Sequence, residues 1–450
     1  MGKIYQKGYY PRVKILRLLL LGVLAGAALA VGLLLGRLHP QSVPTAHAPR
    51  IEKHLVAKTF HPAPPGVRTS EAAGSVAATP PLTDEERQLL KLQRRLDRPG
   101  ALPNEALLKF ASADALRAFL ARADKAGLKL LGQLNGLNVA RVGYEQLDQL
   151  RAALGSDAEA SEITVDPNFL ARIPDILQKE DRPAGSGAAS FEGDGYLKAL
   201  GATGDRAGWG VGVMVAVVDS GIEDHPTFAA HQLSHMDLVN DGQPFNGHGT
   251  AMASLIGGQD WQAAGLAPGV QLLDIRVADA SGSSDSFTLA RGITQAADSG
   301  AHIINISLGS YGDATVVRDA IAYAQAKGAV LIAAAGNDSL GNQLSFPASI
   351  PSVIAVGGVD ANFVQAYFSN SGAGLDVVAP AVGIQSAYGK SSIIIGDGTS
   401  QATAIVSGAL AQALASGATT TAGAADWLKQ HAKALSLAPE RAGAGLVQVK

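Results

Sequence analysis

Apolar and polar positions divide the chain into regions of different character. The first is an uncharged run from Leu18 to Gly36, preceded by Lys3, Lys7, Arg12, Lys14 and Arg17 and closed by Arg37. Its 19 residues rise about 28 Å as a helix, close to the hydrocarbon thickness of a bilayer. With no polar face it does not read as a core helix, and its length exceeds that of a signal-peptide apolar region. The small-x-small sequence Ala46-His47-Ala48 has the form of a cleavage site, but it lies well past the run and Pro49 follows it. The expectation is a basic cytoplasmic tail over 1–17 and a single transmembrane signal-anchor helix over 18–37. The positive-inside rule then puts the remainder in the extracytoplasmic space, periplasmic or extracellular.

Residues 38–100 begin with a proline-rich stretch without apolar period, which reads as a spacer, and continue into a charged helical stretch at 83–97. From 101 to 175 short elements alternate. Leu107–Phe110 is an apolar strand. Leu116, Phe119, Leu120 and Ala123 recur at helical spacing, with Ser112 as cap and Gly127 as stop. Leu128–Leu134 and Leu137–Val142 flank Asn135-Gly136, a strong hairpin signal. Leu147, Leu150 and Leu154 mark a second helix, and Ile163–Val165 a last strand. The order βαββαβ predicts a small ferredoxin-like α+β domain, in which no set of reactive side chains stands out.

Residues 176–194 are polar, with Gly185-Ser186-Gly187, and are expected to form an exposed linker. From 195 to 450 continuous apolar strands alternate with helices. The strands are expected at Val213–Val218, Leu272–Val277, Ile303–Ile306, Val330–Ala334 and Val353–Val356, and helices near 286–298 and 314–327. Strands apolar on both faces, separated by helices, predict an α/β domain with a doubly wound, mostly parallel sheet.

Composition sharpens this picture in three ways. Apolar residues make up 47% and aromatics only 5%, so the cores must be aliphatic and Ala/Gly-rich. A net charge of −3 offers no electrostatic basis for a nucleic-acid partner. The absence of cysteine excludes disulfides, thiolate metal sites and a cysteine nucleophile.

Three residues carry candidate chemistry. Asp219 follows the strand Val213–Val218, and in such sheets active groups gather at the carboxyl ends of strands. His248 stands between glycines in Gly247-His248-Gly249-Thr250. Ser400 opens a helical run of small residues, where free backbone N–H groups favour a developing oxyanion. Each has a plain structural alternative: a strand-ending turn, a core histidine, an N-cap serine. Together they supply what a serine hydroxyl needs, a base to take its proton and a carboxylate to orient the base. The order Asp, His, Ser differs from the Ser, Asp, His order of α/β-hydrolases. Gly208-Trp209-Gly210-Val211-Gly212 precedes its strand, the wrong context for nucleotide binding.

Val215–Ile222, Gly247–Thr250 and Gly398-Thr399-Ser400 resemble the three signatures of the subtilisin-like serine proteases, with the likeness spanning roughly 205–449. The resemblance implies a serine endopeptidase with Asp219, His248 and Ser400 as its triad. Ala333–Asn337 is similar to the family's oxyanion-hole segment, which makes Asn337 a side-chain donor there. Gly282-Ser283-Ser284 and Ser307-Leu308-Gly309 resemble the edges that clamp an extended substrate, and Ser345 falls where the family lines its main specificity pocket, expected here to suit apolar or medium-sized side chains. The βαββαβ unit resembles the family's propeptide, which implies a zymogen that cleaves itself within 173–200. Polypeptides, the chain's own propeptide and the membrane are the implied partners.

The chain departs from the family at Gln401 and Ala404, where methionine and proline are usual, and at Ala251, usually histidine. The segment Ala251–Leu266 is short and lacks the family's calcium loop, so no cofactor or metal is carried over, although structural calcium elsewhere leaves little trace in sequence. The competing functional reading is a catalytically degenerate subtilisin-fold peptide-binding protein.

Overall fold

The computed structural model describes residues 82–155 and 163–449. The expected anchor at 18–37 and most of the spacer lie outside them. Among the described residues no helix is long and apolar enough to cross a membrane.

The first helix, α1 (Asp84–Leu96), is opened by a reciprocal cap in which the Thr83 side chain accepts from Glu86 N–H and Glu86 accepts from Thr83 N–H. Then come β1 (Glu105–Phe110), α2 (Ala113–Ala123), β2 (Lys129–Leu134), β3 (Val139–Gly143), α3 (Leu147–Leu154) and β4 (Ile163–Asp166). The four strands form one antiparallel sheet in the order β2-β3-β1-β4. The β2–β3 turn differs from the tight Asn-Gly turn expected. Leu134 pairs with Val139, which leaves four residues between the strands. These close as a 3₁₀ turn, Asn135–Leu137, with Asn138 left-handed at φ 53°.

Period-two alternation gives this sheet two covered faces. Ala106, Leu108, Phe110, Ala140 and Val142 share a core with Leu116, Phe119 and Leu150 of the two helices. Leu107 and Val139, on the opposite face, join the large core of the rest of the chain. On that same face Lys109 pairs with Asp319 at 2.7 Å and Arg141 with Asp285 at 3.0 Å.

The larger sheet contains β6 (Met214–Asp219), β7 (Leu233–Asp237), β8 (Gln271–Arg276), β10 (Ile303–Ile306), β11 (Val330–Ala334), β12 (Ile354–Val359) and β13 (Val377–Pro380). All seven are parallel, in the order β13-β12-β11-β10-β6-β8-β7. The order reverses at β6, which has β8 on one side and β10 on the other, and this switch point opens a crevice at the strand ends. The pattern of apolar runs located five of these strands. It missed β7, whose Leu-Ser-His-Met-Asp is half-exposed at the sheet edge, and β13.

Two helices bring side chains to the crevice: α4 (His248–Gly257), in which every residue is buried, and α7 (Thr399–Ala415), buried for most of its length. They pack on each other, and α7 lies over β10 to β13. A helix buried all round needs small apolar residues on every side, which explains the Ala-rich run after Ser400. Between them in sequence, α5 (Ser286–Asp298) and α6 (Thr315–Ala326) pack together.

Between the two sheets, ahead of the exposed linker expected at 176–194, the chain forms β5 (Leu170–Arg172), which pairs antiparallel with β9 (Ser283–Asp285). Many of residues 175–190 are exposed, yet they are tied down: Arg182 makes two hydrogen bonds to Asp397, at 2.7 and 2.8 Å, and Phe191 N–H donates to Val382.

Candidate active site

Asp219 is the last residue of β6 and has no solvent exposure. Its Oδ1 accepts from Ser220 N–H at 2.7 Å, which fixes the carboxylate plane. His248 is the first residue of α4, and its Nδ1 lies 2.9 and 3.0 Å from the two Asp219 oxygens. The flanking glycines have separate reasons. Gly247 has φ 90°, the left-handed turn into the helix, and a Cβ on Gly249 would stand 2.4 Å from the Gly221 carbonyl oxygen.

Ser400 lies in the first turn of α7, the helix that packs over β10 to β13. Its hydroxyl donates to the Ser307 carbonyl, 3.3 Å away, instead of to His248. The edge segment carrying Ser307 is pinned to α7: Asn305 donates to Ser307 Oγ at 3.1 Å and accepts from Ser407 at 3.0 Å.

Asn337 follows β11. Its Oδ1 accepts from Thr399 N–H at 2.9 Å and from the Thr399 hydroxyl at 2.7 Å. Since a backbone N–H can only donate, the amide orientation is determined, and the Asn337 NH₂ group is left free for another acceptor. A cavity of about 600 Å³ brings together Asn337, Thr399, Ser307, Leu308, Gly309 and Ser345. Ser345 donates to the Ala334 carbonyl at 2.7 Å, and Ala334 and Gly336 complete a small-residue wall.

The other expected edge, Gly282-Ser283-Ser284, pairs with residues 171–173, so the chain itself lies between the two edges. Arg172 N–H donates to Gly309 at 2.9 Å, Gly309 N–H returns a bond to Arg172 at 3.0 Å, and Ile173 N–H donates to Gly282 at 2.9 Å. Beyond the site, Asp397 N–H donates to the Leu177 carbonyl at 2.7 Å. Of the residues expected from sequence, Ser307, Leu308, Gly309, Asn337 and Ser345 line one cavity, Ser400 is tied to it through Ser307, and Asp219 and His248 form a separate buried pair. The pairing of Arg172–Leu177 and the Arg182–Asp397 clasp had no local signal, because a polar linker and a lone arginine look alike whether docked or free.

Gln401 is buried, with its amide folded back toward Gly396 and Gly398, and its Nε2 has no hydrogen-bond partner. A buried unsatisfied amide costs about 1–3 kcal/mol. Gln401→Met replaces it with an apolar chain of similar length and should raise the melting temperature by about 2–8 °C. An unchanged or lower melting temperature would count against this explanation.

Residues 210–445 match the Subtilase family model, just over half of the chain. Subtilisin Savinase of Lederbergia lenta is 39% identical over 208 residues, 45% of this chain and 76% of that protein. Thermitase of Thermoactinomyces vulgaris is 40% identical over 207 residues, 44% of this chain and 74% of its own. Alkaline elastase YaB of a Bacillus strain is 40% identical over 208 residues, 45% of this chain but only 54% of its own length. Among solved structures, fervidolysin of Fervidobacterium pennivorans, described as a keratinolytic enzyme related to subtilisin, superposes with TM-score 0.64 over 78% of this chain and 61% of its own, at 24% identity, a likeness of fold. A mutant of the protease domain of PatA superposes with TM-score 0.50 at 30% identity, over 55% of this chain and 95% of its own. The chain belongs to the subtilase family. It is a subtilisin-like serine endopeptidase by class, and its substrates are polypeptides.

Proposed function

We propose that this protein is a membrane-anchored, self-processing endopeptidase whose triad is Asp219, His248 and Ser400. The observation that carries the reading is the buried Asp219–His248 pair, 2.9 Å apart, with Ser400 in the first turn of α7, a helix that packs on the one His248 opens. Ser400 attacks the substrate carbonyl, His248 takes its proton and later delivers it to the leaving amine, and Asp219 keeps Nδ1 protonated so that Nε2 is the base. The Ser400 N–H and the Asn337 amide stabilise the oxyanion, and the two edges hold the substrate as an added strand. These steps draw on protein groups alone and call for no cofactor. The βαββαβ unit acts as the propeptide, with the chain at 170–177 delivered into the cleft of its own protease. The run 18–37 acts as the anchor that keeps the catalytic unit extracytoplasmic.

The direct test is labelling of the full chain with a fluorophosphonate probe, mapping of the adduct, and hydrolysis of casein. Modification of Ser400 with casein cleavage is expected. No adduct and no cleavage, with intact binding of peptides, would replace the reading with that of a degenerate peptide-binding protein. Asn337→Ala should lower kcat by about 10²–10³-fold with little change in KM, a magnitude taken from such donors in the subtilisin class itself. A fall confined to KM would remove Asn337 from the oxyanion hole.

A further inference from the structure

Arg172 and Gly309 form an antiparallel pair that exchanges both backbone hydrogen bonds, at 2.9 and 3.0 Å. In an antiparallel ladder bonded pairs recur every second residue, so the next pair in this register is residue 174 with Ser307. Residue 174 is proline, which has no N–H to give. The Ser307 carbonyl therefore lacks its ladder donor, and the hydroxyl of Ser400 occupies it at 3.3 Å. The chain is meanwhile held on both sides of this point. Ile173 is buried and bonded to Gly282, and Leu177 is bonded to Asp397, three residues before the nucleophile.

We infer that Pro174 is a brake on self-processing: by withholding an N–H from Ser307 it lets that carbonyl hold the Ser400 hydroxyl away from His248. This rests on the proposed protease function and deepens it. The bond addressed is that between Pro174 and Asp175. The Ser400 Oγ–carbonyl bond forms, the C–N bond to Asp175 breaks, and the hydroxyl proton passes through His248 to the departing nitrogen. Water then hydrolyses the ester. A residue with an N–H at 174 completes the ladder, displaces the Ser400 hydroxyl from Ser307 and frees it to meet His248.

The test follows the shortening of the full chain in detergent by mass spectrometry, beside its Pro174→Ala, Pro174→Gly and Ile173→Ala variants, all labelled in parallel with a fluorophosphonate. Both substitutions at 174 restore the N–H and should speed first-order shortening about tenfold, the worth of roughly one hydrogen bond in the transition state. The new N-terminus should be Asp175. Ile173→Ala loosens the strand but keeps the proline, and should give no acceleration. Chains that label and shorten at one common rate would overturn the brake alone, as would equal acceleration by Ile173→Ala or cleavage at another bond. Chains that neither label nor shorten would overturn the brake together with the protease reading.

Discussion

Asp219→Asn is expected to lower turnover of a peptide substrate by about 10⁴-fold while leaving the melting temperature nearly unchanged. The carboxylate accepts from His248 Nδ1 through both oxygens and from Ser220 N–H, and it is wholly buried. An asparagine fits the same space. Ser220 N–H needs an acceptor, so the amide oxygen turns toward it and the NH₂ toward Nδ1. That forces Nδ1 to accept and places the imidazole proton on Nε2, the nitrogen that must act as base. The fold is kept and the tautomer is wrong. Ser400→Ala should go further and abolish fluorophosphonate labelling and self-processing together. The check is kcat on one peptide for both variants beside their melting curves. A tenfold effect or less for Asp219→Asn would mean that the imidazole is oriented by something else.

Arg182→Ala should destabilise the protein more than Asp219→Asn, Ser400→Ala or Asn337→Ala. Asp397 has a fully buried side chain, and Arg182 meets it with two hydrogen bonds; Gly383 N–H, at 2.8 Å, and the Tyr367 hydroxyl, at 3.2 Å, complete the shell. The bonded carboxylate in turn raises the Arg182 pKa above its ordinary value, so the guanidinium stays charged. Breaking a buried pair by removing one partner typically costs about 3–5 kcal/mol, because the other charge is left without compensation. For a unit of this size that corresponds to a fall in melting temperature on the order of 5–15 °C. Arg182→Ala combined with Asp397→Asn should recover a good part of it, since the stranded charge is gone. If the single and double variants melt together at the wild-type temperature, the clasp contributes nothing. Because Arg182 follows the proposed cleavage point, the clasp also keeps the new N-terminal segment on the catalytic unit after processing.

The sequence by itself determined the kinds of elements and which side chains are the candidates for chemistry. Continuous apolar runs such as Ile303–Ile306 and Val330–Ala334 signal strands covered on both faces, and their limits coincide with the observed ones. Asp219 at a strand end, His248 between glycines and Ser400 before a run of small residues are local patterns, set by what a turn or a buried helix admits. β7 escaped because an edge strand exposed on one side carries no such run. Tertiary structure alone decided which groups meet. The packing of α7 on β10 brings Ser307 to Ser400. Thr399 N–H orients the amide of Asn337 from 62 positions away, and Arg182 reaches Asp397 across 215. Pro174 reads in sequence as one more linker proline. Only the register with Gly309 places its missing N–H opposite the carbonyl that holds Ser400. A hydrogen bond depends on distance and direction between two groups, and the residues on either side of each group do not specify where the chain will bring the other.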